Sequence, residues 1–127
     1  MDAAQALADM TEISSQIEAA VLFDESGEVA GSTLGNARAA AELARAAGAL
    51  LAQGAALGSG AVTQVEAATP AGSVFVVRDG PRLIAATTTP DPTTGLVFYD
   101  LKSCLRDAAP AEKPKRRRTT KKETDEA

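Results

Sequence analysis

The feature that most constrains this fold is a run of small and apolar residues at positions 37–57, which reads ARAAAELARAAGALLAQGAAL. Alanine and leucine are the strongest helix formers, so the run predicts one long helix. A surface helix normally has a polar face, whereas only Arg38, Glu42, Arg45 and Gln53 are polar here. We therefore expect the helix to be buried on two sides, against a sheet and against a partner.

Two other interpretations of the run are weaker. It can form the central helix of an ordinary monomeric core. A membrane span is disfavoured because Glu42 and Arg45 interrupt the run and alanine adds little to membrane insertion. On the favoured interpretation, a stripe at helical spacing gives the candidate contacts with a second copy of the chain. These residues are Leu43, Ala47, Leu50 and Gly54, and Leu57 continues the stripe.

A second candidate contact is the short strand predicted at 28–33, with the sequence EVAGST. Gly27 before it supplies the positive φ that a tight hairpin turn requires. Gly31 inside the strand indicates a bulge or the close approach of another backbone. Because the strand has little side-chain bulk, its pairing is weakly specified. We expect an edge strand that pairs with a second copy through Val29, Gly31 and Thr33.

The remaining patterns predict the other elements of a small α/β domain. A helix is predicted at 2–18, strands at 19–24, 61–69, 73–78 and 82–88, and a last helix from Thr93 or Thr94 to Arg106. Glycines at 58–60 give the long helix its stop. A two-strand hairpin and a three-strand meander, joined by one long helix, predict a two-layer α/β domain.

Charge divides the chain into two parts. Up to Asp107 there are 13 acidic and 6 basic residues, and from Ala108 onward there are 4 acidic and 7 basic residues. We therefore expect a folded domain at 1–107 and a tail at 108–127. The acidic domain should not bind nucleic acid by itself. The tail has no large apolar residue to anchor a core, so it is predicted to be disordered.

The tail carries a patch of basic residues: Lys115, Arg116, Arg117, Arg118, Lys121 and Lys122. Such a patch can hold the phosphates of nucleic acid by charge alone, or contact an anionic membrane. No aromatic residue is interleaved with it, so stacking on bases is not indicated. The alternative is a solubilising tail without a specific partner.

The composition argues against catalysis. The chain has no histidine, which is the commonest general base, and its single cysteine, Cys104, leaves no zinc site of ordinary type. The glycines at 58–60 close a helix and lack the pattern of a phosphate loop. We predict no enzyme activity, no catalytic residue, no metal and no cofactor. One cysteine and no visible secretory signal favour a cytoplasmic location.

Three stretches carry a resemblance to a known family: AAVLFDESGEVAGST, GSGAVTQVEAATPAGSVFVVRDGPRLIAATT and TTGLVFYDLKSCLRDA. With the alanine-rich helix after the first of them, their order and spacing resemble the Roadblock/dynein light chain family from about Leu7 to Asp107. The resemblance implies a profilin-like sandwich. It would contain a five-stranded, mainly antiparallel sheet, a long central helix, and flanking N- and C-terminal helices.

The resemblance also implies a function. In that family the second strands of two copies pair and their long helices pack together, which implies a homodimer. It implies a non-catalytic regulator or scaffold that binds a small Ras-like GTPase. Two alternatives stay open. One is a small-molecule sensor of similar architecture, with a pocket between helix and sheet, and the other is binding of nucleic acid or anionic membrane through the basic tail.

Overall fold

The computed structural model describes residues 2–58 and 62–109 of the chain. Its elements follow the predicted order: α1 (Ala3–Ile13), β1 (Ile17–Asp24), β2 (Val29–Ser32), α2 (Ala37–Ala56), β3 (Gln64–Thr69), β4 (Gly72–Asp79), β5 (Arg82–Thr88) and α3 (Thr94–Asp107). The predicted charge patch, and the tail from residue 110 onward, lie outside the described residues, as do the last two positions of the predicted stop at 58–60. Within the described ranges, no helix combines the length and the hydropathy of a membrane span.

The five strands form one antiparallel sheet in the order β2-β1-β5-β4-β3. β1 pairs with β5 from Ile17 opposite Thr88 to Asp24 opposite Arg82. Turns join β1 to β2, β3 to β4 and β4 to β5, while α2 connects β2 to β3 and so links the two edges of the sheet. β2 and β3 are therefore the edge strands, and the prediction that β2 lies at an edge is confirmed.

Helices cover both faces of the sheet. α1 and α3 pack on the face that contains Phe75 and Ile84, and α2 packs on the face that contains Val21 and Val76. The predicted fold class, α/β with a five-stranded antiparallel sheet and three helices, is confirmed. The layers number three where the sequence predicted two. Successive strand residues point to opposite faces, and the central strands are apolar on both, so each face needs a helical cover.

α1 ends earlier than predicted. The apolar stripe from Leu7 to Ile17 predicted a helix to residue 18, but α1 ends at Ile13 and β1 begins at Ile17. Ile13 is 78% exposed, whereas Ile17 is buried. The N–H of Ser14 donates to the Met10 carbonyl at 2.8 Å and closes the helix. Because a β-branched side chain suits a strand, pairing of Ile17 within the sheet outweighs the helical periodicity.

Candidate interaction surface

α2 begins with a side-chain cap, Asn36. Asn36 Oδ1 accepts hydrogen bonds from the N–H of Arg38 at 2.8 Å and of Ala39 at 3.1 Å. These bonds satisfy two of the N–H groups that a helix leaves free at its start. Since Asn36 follows β2 closely in the chain, the cap fixes the point where α2 leaves the β2 edge.

The buried side of α2 is a seam of small residues. Its members are Ala40, Ala44, Ala47 and Leu51, all buried against the sheet. An alanine side chain ends at Cβ, so this seam allows the helix to lie close to Val21, Val76 and Phe23 of the sheet. The sheet contact of α2 is therefore made mainly by alanines.

The stripe predicted to meet a second copy divides between two environments. Ala47 is 0% exposed in the core of its own chain, so its prediction as a partner contact is wrong. Leu43, Leu50 and Gly54 are half-buried beside the seam and remain partly accessible. Leu57 is 90% exposed. The sequence pattern gave the leucines the central position, whereas shape complementarity with the sheet favours the smaller side chains.

The outward side of α2 is also rich in small residues. The exposed residues of the helix are Ala37, Arg38, Ala41, Glu42, Arg45, Ala46, Ala49, Ala52, Gln53, Ala55 and Ala56. How closely two helices approach depends on the side chains at their contact, and alanines permit a short distance between axes. The side of α2 opposite the seam therefore carries few large side chains.

β2 presents an open edge beside the start of α2. On its inner side, Thr33 N–H donates to the Ala20 carbonyl at 2.9 Å, and Thr33 Oγ1 accepts from Ala20 N–H at 2.9 Å. Because backbone groups alternate between the two sides of an antiparallel strand, those of Ser32 face outward. Sequence reasoning named Thr33 and missed Ser32, because alternation separates the two sets of residues but only the pairing of Thr33 with Ala20 shows which set faces outward.

The other two predicted edge residues are tied to their own chain. Val29 is half-buried in the core between sheet and α2. Gly31 lies under α1, where a Cβ on it would come within 3.3 Å of Leu7 Cδ1. The pairing of β2 with β1 also shifts register between Gly31 and Val29. The bulge and the close backbone approach predicted for Gly31 are both present.

A groove of about 1000 Å³ lies between α2 and the turns at one end of the sheet. In the β1–β2 turn, Asp24 Oδ1 accepts from the N–H and hydroxyl of Ser26 at 2.9 and 2.6 Å and from the N–H of Glu28 at 3.1 Å. These bonds lower the pKa of Asp24, the Ser26 hydroxyl having the largest effect. Glu25 of this turn pairs with Arg78 of β4. Arg78 Nε also donates to the carbonyl of Gly80 at 2.9 Å, so Arg78 links the β1–β2 turn to the β4–β5 turn at the border of the groove. Asp24 therefore has a structural role in this turn.

Acidic side chains and Cys104 are among the described groups whose chemistry would suit a metal site or covalent catalysis. Within the described ranges, no group of three or more His, Cys, Asp or Glu residues is placed to hold a metal ion. Cys104 is buried in α3, and burial raises the pKa of its thiol to about 11. The nucleophile of cysteine chemistry is the thiolate, so this side chain serves as a small core residue at neutral pH.

Neither a protein-family model nor a curated protein sequence matches this chain. Solved structures do resemble it. A Roadblock/LC7 domain from Streptomyces avermitilis has a TM-score of 0.76 at 18% identity, over 84% of this chain and 94% of that one. The gliding protein MglB of Thermus thermophilus has a TM-score of 0.63 at 17% identity, over 84% of each chain, and MglB is also known in a tetrameric arrangement. A chain of the LokiProfilin2/rabbit actin complex has a TM-score of 0.58 at 13% identity, over 81% of this chain and 92% of that one. The chain therefore has the Roadblock/LC7 fold, with the profilin-like arrangement of helices and sheet that its sequence predicted.

Proposed function

We propose that this chain is a non-catalytic, homodimeric regulator or scaffold that binds a small Ras-like GTPase. The observation that carries the proposal is the exposed, small-residue side of α2 next to the open β2 edge, in a Roadblock/LC7 fold. The family resemblance in the sequence supplies the GTPase as the class of partner. We place the binding domain at 1–107, with 108–127 as an appended basic segment, and the complex in the cytoplasm.

The β2 edge supports the dimer. Monomeric proteins often block such an edge with charges or proline. β2 has the sequence VAGS and contains neither. A second copy can therefore add to the outward backbone groups of Ser32, joining two five-stranded sheets across a twofold axis. Val29 and Thr33 would flank this contact.

Pairing through β2 would also bring the two α2 helices together. α2 begins a few residues after β2, so the first turns of both helices lie near the twofold axis. The exposed alanines then allow the helices to approach, with Leu43, Leu50 and Gly54 at the border of the contact. This contact would bury the apolar surface that a solitary chain leaves exposed, which favours association.

The GTPase would bind on the α2 side of the dimer. Glu42, Arg45 and Gln53 interrupt the alanine surface, and the groove of about 1000 Å³ borders it. A surface that mixes apolar and polar groups is typical of non-obligate protein interfaces. The GTPase itself would supply any nucleotide chemistry, and this chain would supply binding and positioning.

The dimer is tested by measuring the mass of the full chain by light scattering at micromolar concentrations. The expected value is twice the 12.9 kDa of one chain. A single-chain mass across that range would contradict the homodimer.

The GTPase is tested by capture from lysate of the source cells, loaded with GDP or with a non-hydrolysable GTP analogue. We expect one Ras-like GTPase to be retained mainly in one nucleotide state. Arg45→Glu, which reverses a charge on the groove, should reduce its retention, whereas Lys102→Glu, a matched charge reversal on exposed α3, should not. Absence of a Ras-like GTPase in both states would contradict this part of the proposal.

A further inference from the structure

The described chain ends beside a small pocket at one end of the molecule. Arg82 Nη2 donates to the Leu105 carbonyl at 2.7 Å and so fixes the last turn of α3 to β5. Ala108, which follows that turn, lines a pocket of about 260 Å³ together with Glu28 of the β1–β2 turn. The segment that continues from Ala109 therefore starts at the border of this pocket.

The pocket has an apolar floor and a mainly acidic rim. Its floor is formed by Leu22, Phe23, Val29, Leu83 and Leu105. Asp24 and Glu28 line the rim, whereas Glu25 of the same turn is paired with Arg78. Hydrogen bonds lower the pKa of Asp24 and so favour its ionised form. Arg82 is the basic residue of the lining, and it is engaged with Leu105.

The sequence that follows has the complementary charge. Seven basic residues lie between positions 113 and 122, and no acidic residue lies among them. Lys113 and Lys115 follow Ala109 by four and six residues, and an extended chain of that length reaches roughly 13–22 Å. That reach is sufficient to bring the first basic side chains to Glu28 and Asp24, since Ala108 borders the same pocket.

We infer that the basic segment 113–118 docks on this acid-rimmed pocket of its own chain. The lysine and arginine heads would meet the carboxylates of the β1–β2 turn, while their apolar stems would cover the floor. The docked segment would lie beside Val29 and Ala30, next to the β2 edge. An effect of docking on dimerisation rests on the proposed function, but the docking itself does not.

The test compares the full chain with a full-length variant in which Lys115, Arg116, Arg117 and Arg118 are replaced by glutamine. The readouts are backbone amide chemical shifts and hydrogen exchange of residues 24–30. We expect shift differences confined to this turn and the neighbouring pocket. Exchange in the variant should be roughly twofold to fivefold faster, the range expected for exposed ion pairs. Both differences should vanish in 1 M salt, where the screening length falls to about 3 Å.

A pair of acidic substitutions locates the contact. Glu28→Gln should reproduce part of the change in the turn, whereas Glu12→Gln, which removes another exposed carboxylate in the last turn of α1, should not. Identical spectra of wild type and tail variant, or differences centred on another surface, would overturn the proposal. So would differences that grow with protein concentration, which indicate a second copy.

The basic segment could instead bind an anionic partner, and the same variant distinguishes this role from docking. If its four substitutions abolish binding to polyuridylate or to phosphatidylserine vesicles but leave the turn unchanged, the segment serves an anionic partner and the docking proposal is wrong. A monomeric chain would contradict the proposed function yet leave this test intact, because docking within one chain is independent of concentration.

Discussion

A Cβ on Gly31 of β2 would lie 2.9 Å from the Cβ of Ala3 on α1, closer than real Cβ atoms approach. α1 therefore rests directly on the backbone of the edge strand. On the opposite face Val29 packs into the core under α2. This explains how so short a strand, with little bulk of its own, keeps one register: the two helices hold it from both faces.

Replacing Gly31 with alanine should destabilise the fold. The new methyl group must displace α1 or the strand, and overpacking of this kind costs about 1–3 kcal/mol in free energy of unfolding. Gly48→Ala is the matched control, because nothing beyond its chain neighbours and the backbone of its own helix lies within 4 Å of its Cβ position. In a helix interior that change should stabilise by roughly 0.5–1 kcal/mol. Urea unfolding measures both, and equal effects would contradict the close contact.

The behaviour of Gly31 was accessible from the sequence, since a glycine inside a strand pattern has few structural explanations. The buried side of α2 was not. Hydrophobicity favours Leu43 and Leu50 as the central contacts, but three of the four buried positions against the sheet are Ala40, Ala44 and Ala47, whose small side chains let the helix lie close to the strands. The sequence of the helix gives the size and polarity of each residue. It does not give the shape of the sheet surface against which the helix packs.

The grouping of turns at the groove end of the sheet was even less predictable from local sequence. The turns around Asp24 and Gly80 are separate in the sequence, and the pairing of β1 with β5 places them side by side. The groove and the acid-rimmed pocket both depend on that register. The turn residues could be predicted one by one from glycine and aspartate, but their grouping required the strand order.

The cap of α2 offers a prediction with an internal control. Asn36→Ala removes the oxygen that accepts from Arg38 and Ala39, so it should lower the free energy of unfolding by about 1 kcal/mol. Thr93 occupies the same position before α3 but makes no side-chain cap bond. Thr93→Ala should therefore have a much smaller effect in the same urea titration. A larger loss for Thr93→Ala would contradict the assignment of the caps.

Asp24 should make the stability of the fold depend on pH in the acidic range. Its pKa is lower in the folded chain than the ordinary value, mainly through the Ser26 hydroxyl. A carboxyl of this kind stabilises the fold above its unfolded pKa, and the contribution is lost as the pH falls through the folded pKa. Asp24→Asn should lower stability at neutral pH and flatten the decline below about pH 4. Ser26→Ala should reproduce part of this change.

Thermal unfolding from neutral pH down to about pH 3 measures the effect of Asp24. Glu25 and Glu28 remain in the asparagine variant, so the comparison isolates the hydrogen-bonded carboxylate of the turn. An asparagine variant whose melting temperature declines with acidification as steeply as that of the wild type would show that Asp24 is not a source of the pH dependence.

The open edge of β2 gives the most direct test of association. Ser32→Pro removes the outward N–H, and proline is tolerated where a strand N–H faces away from its sheet. The substitution should leave the chain folded but block strand pairing between copies, giving a single-chain mass by light scattering. Ser32→Ala is the control, because it also loses the Ser32 Oγ that accepts from Leu34 N–H at 2.9 Å yet keeps its own N–H. We expect the alanine variant to retain twice the chain mass. A folded proline variant that retains it as well would show that the copies associate elsewhere.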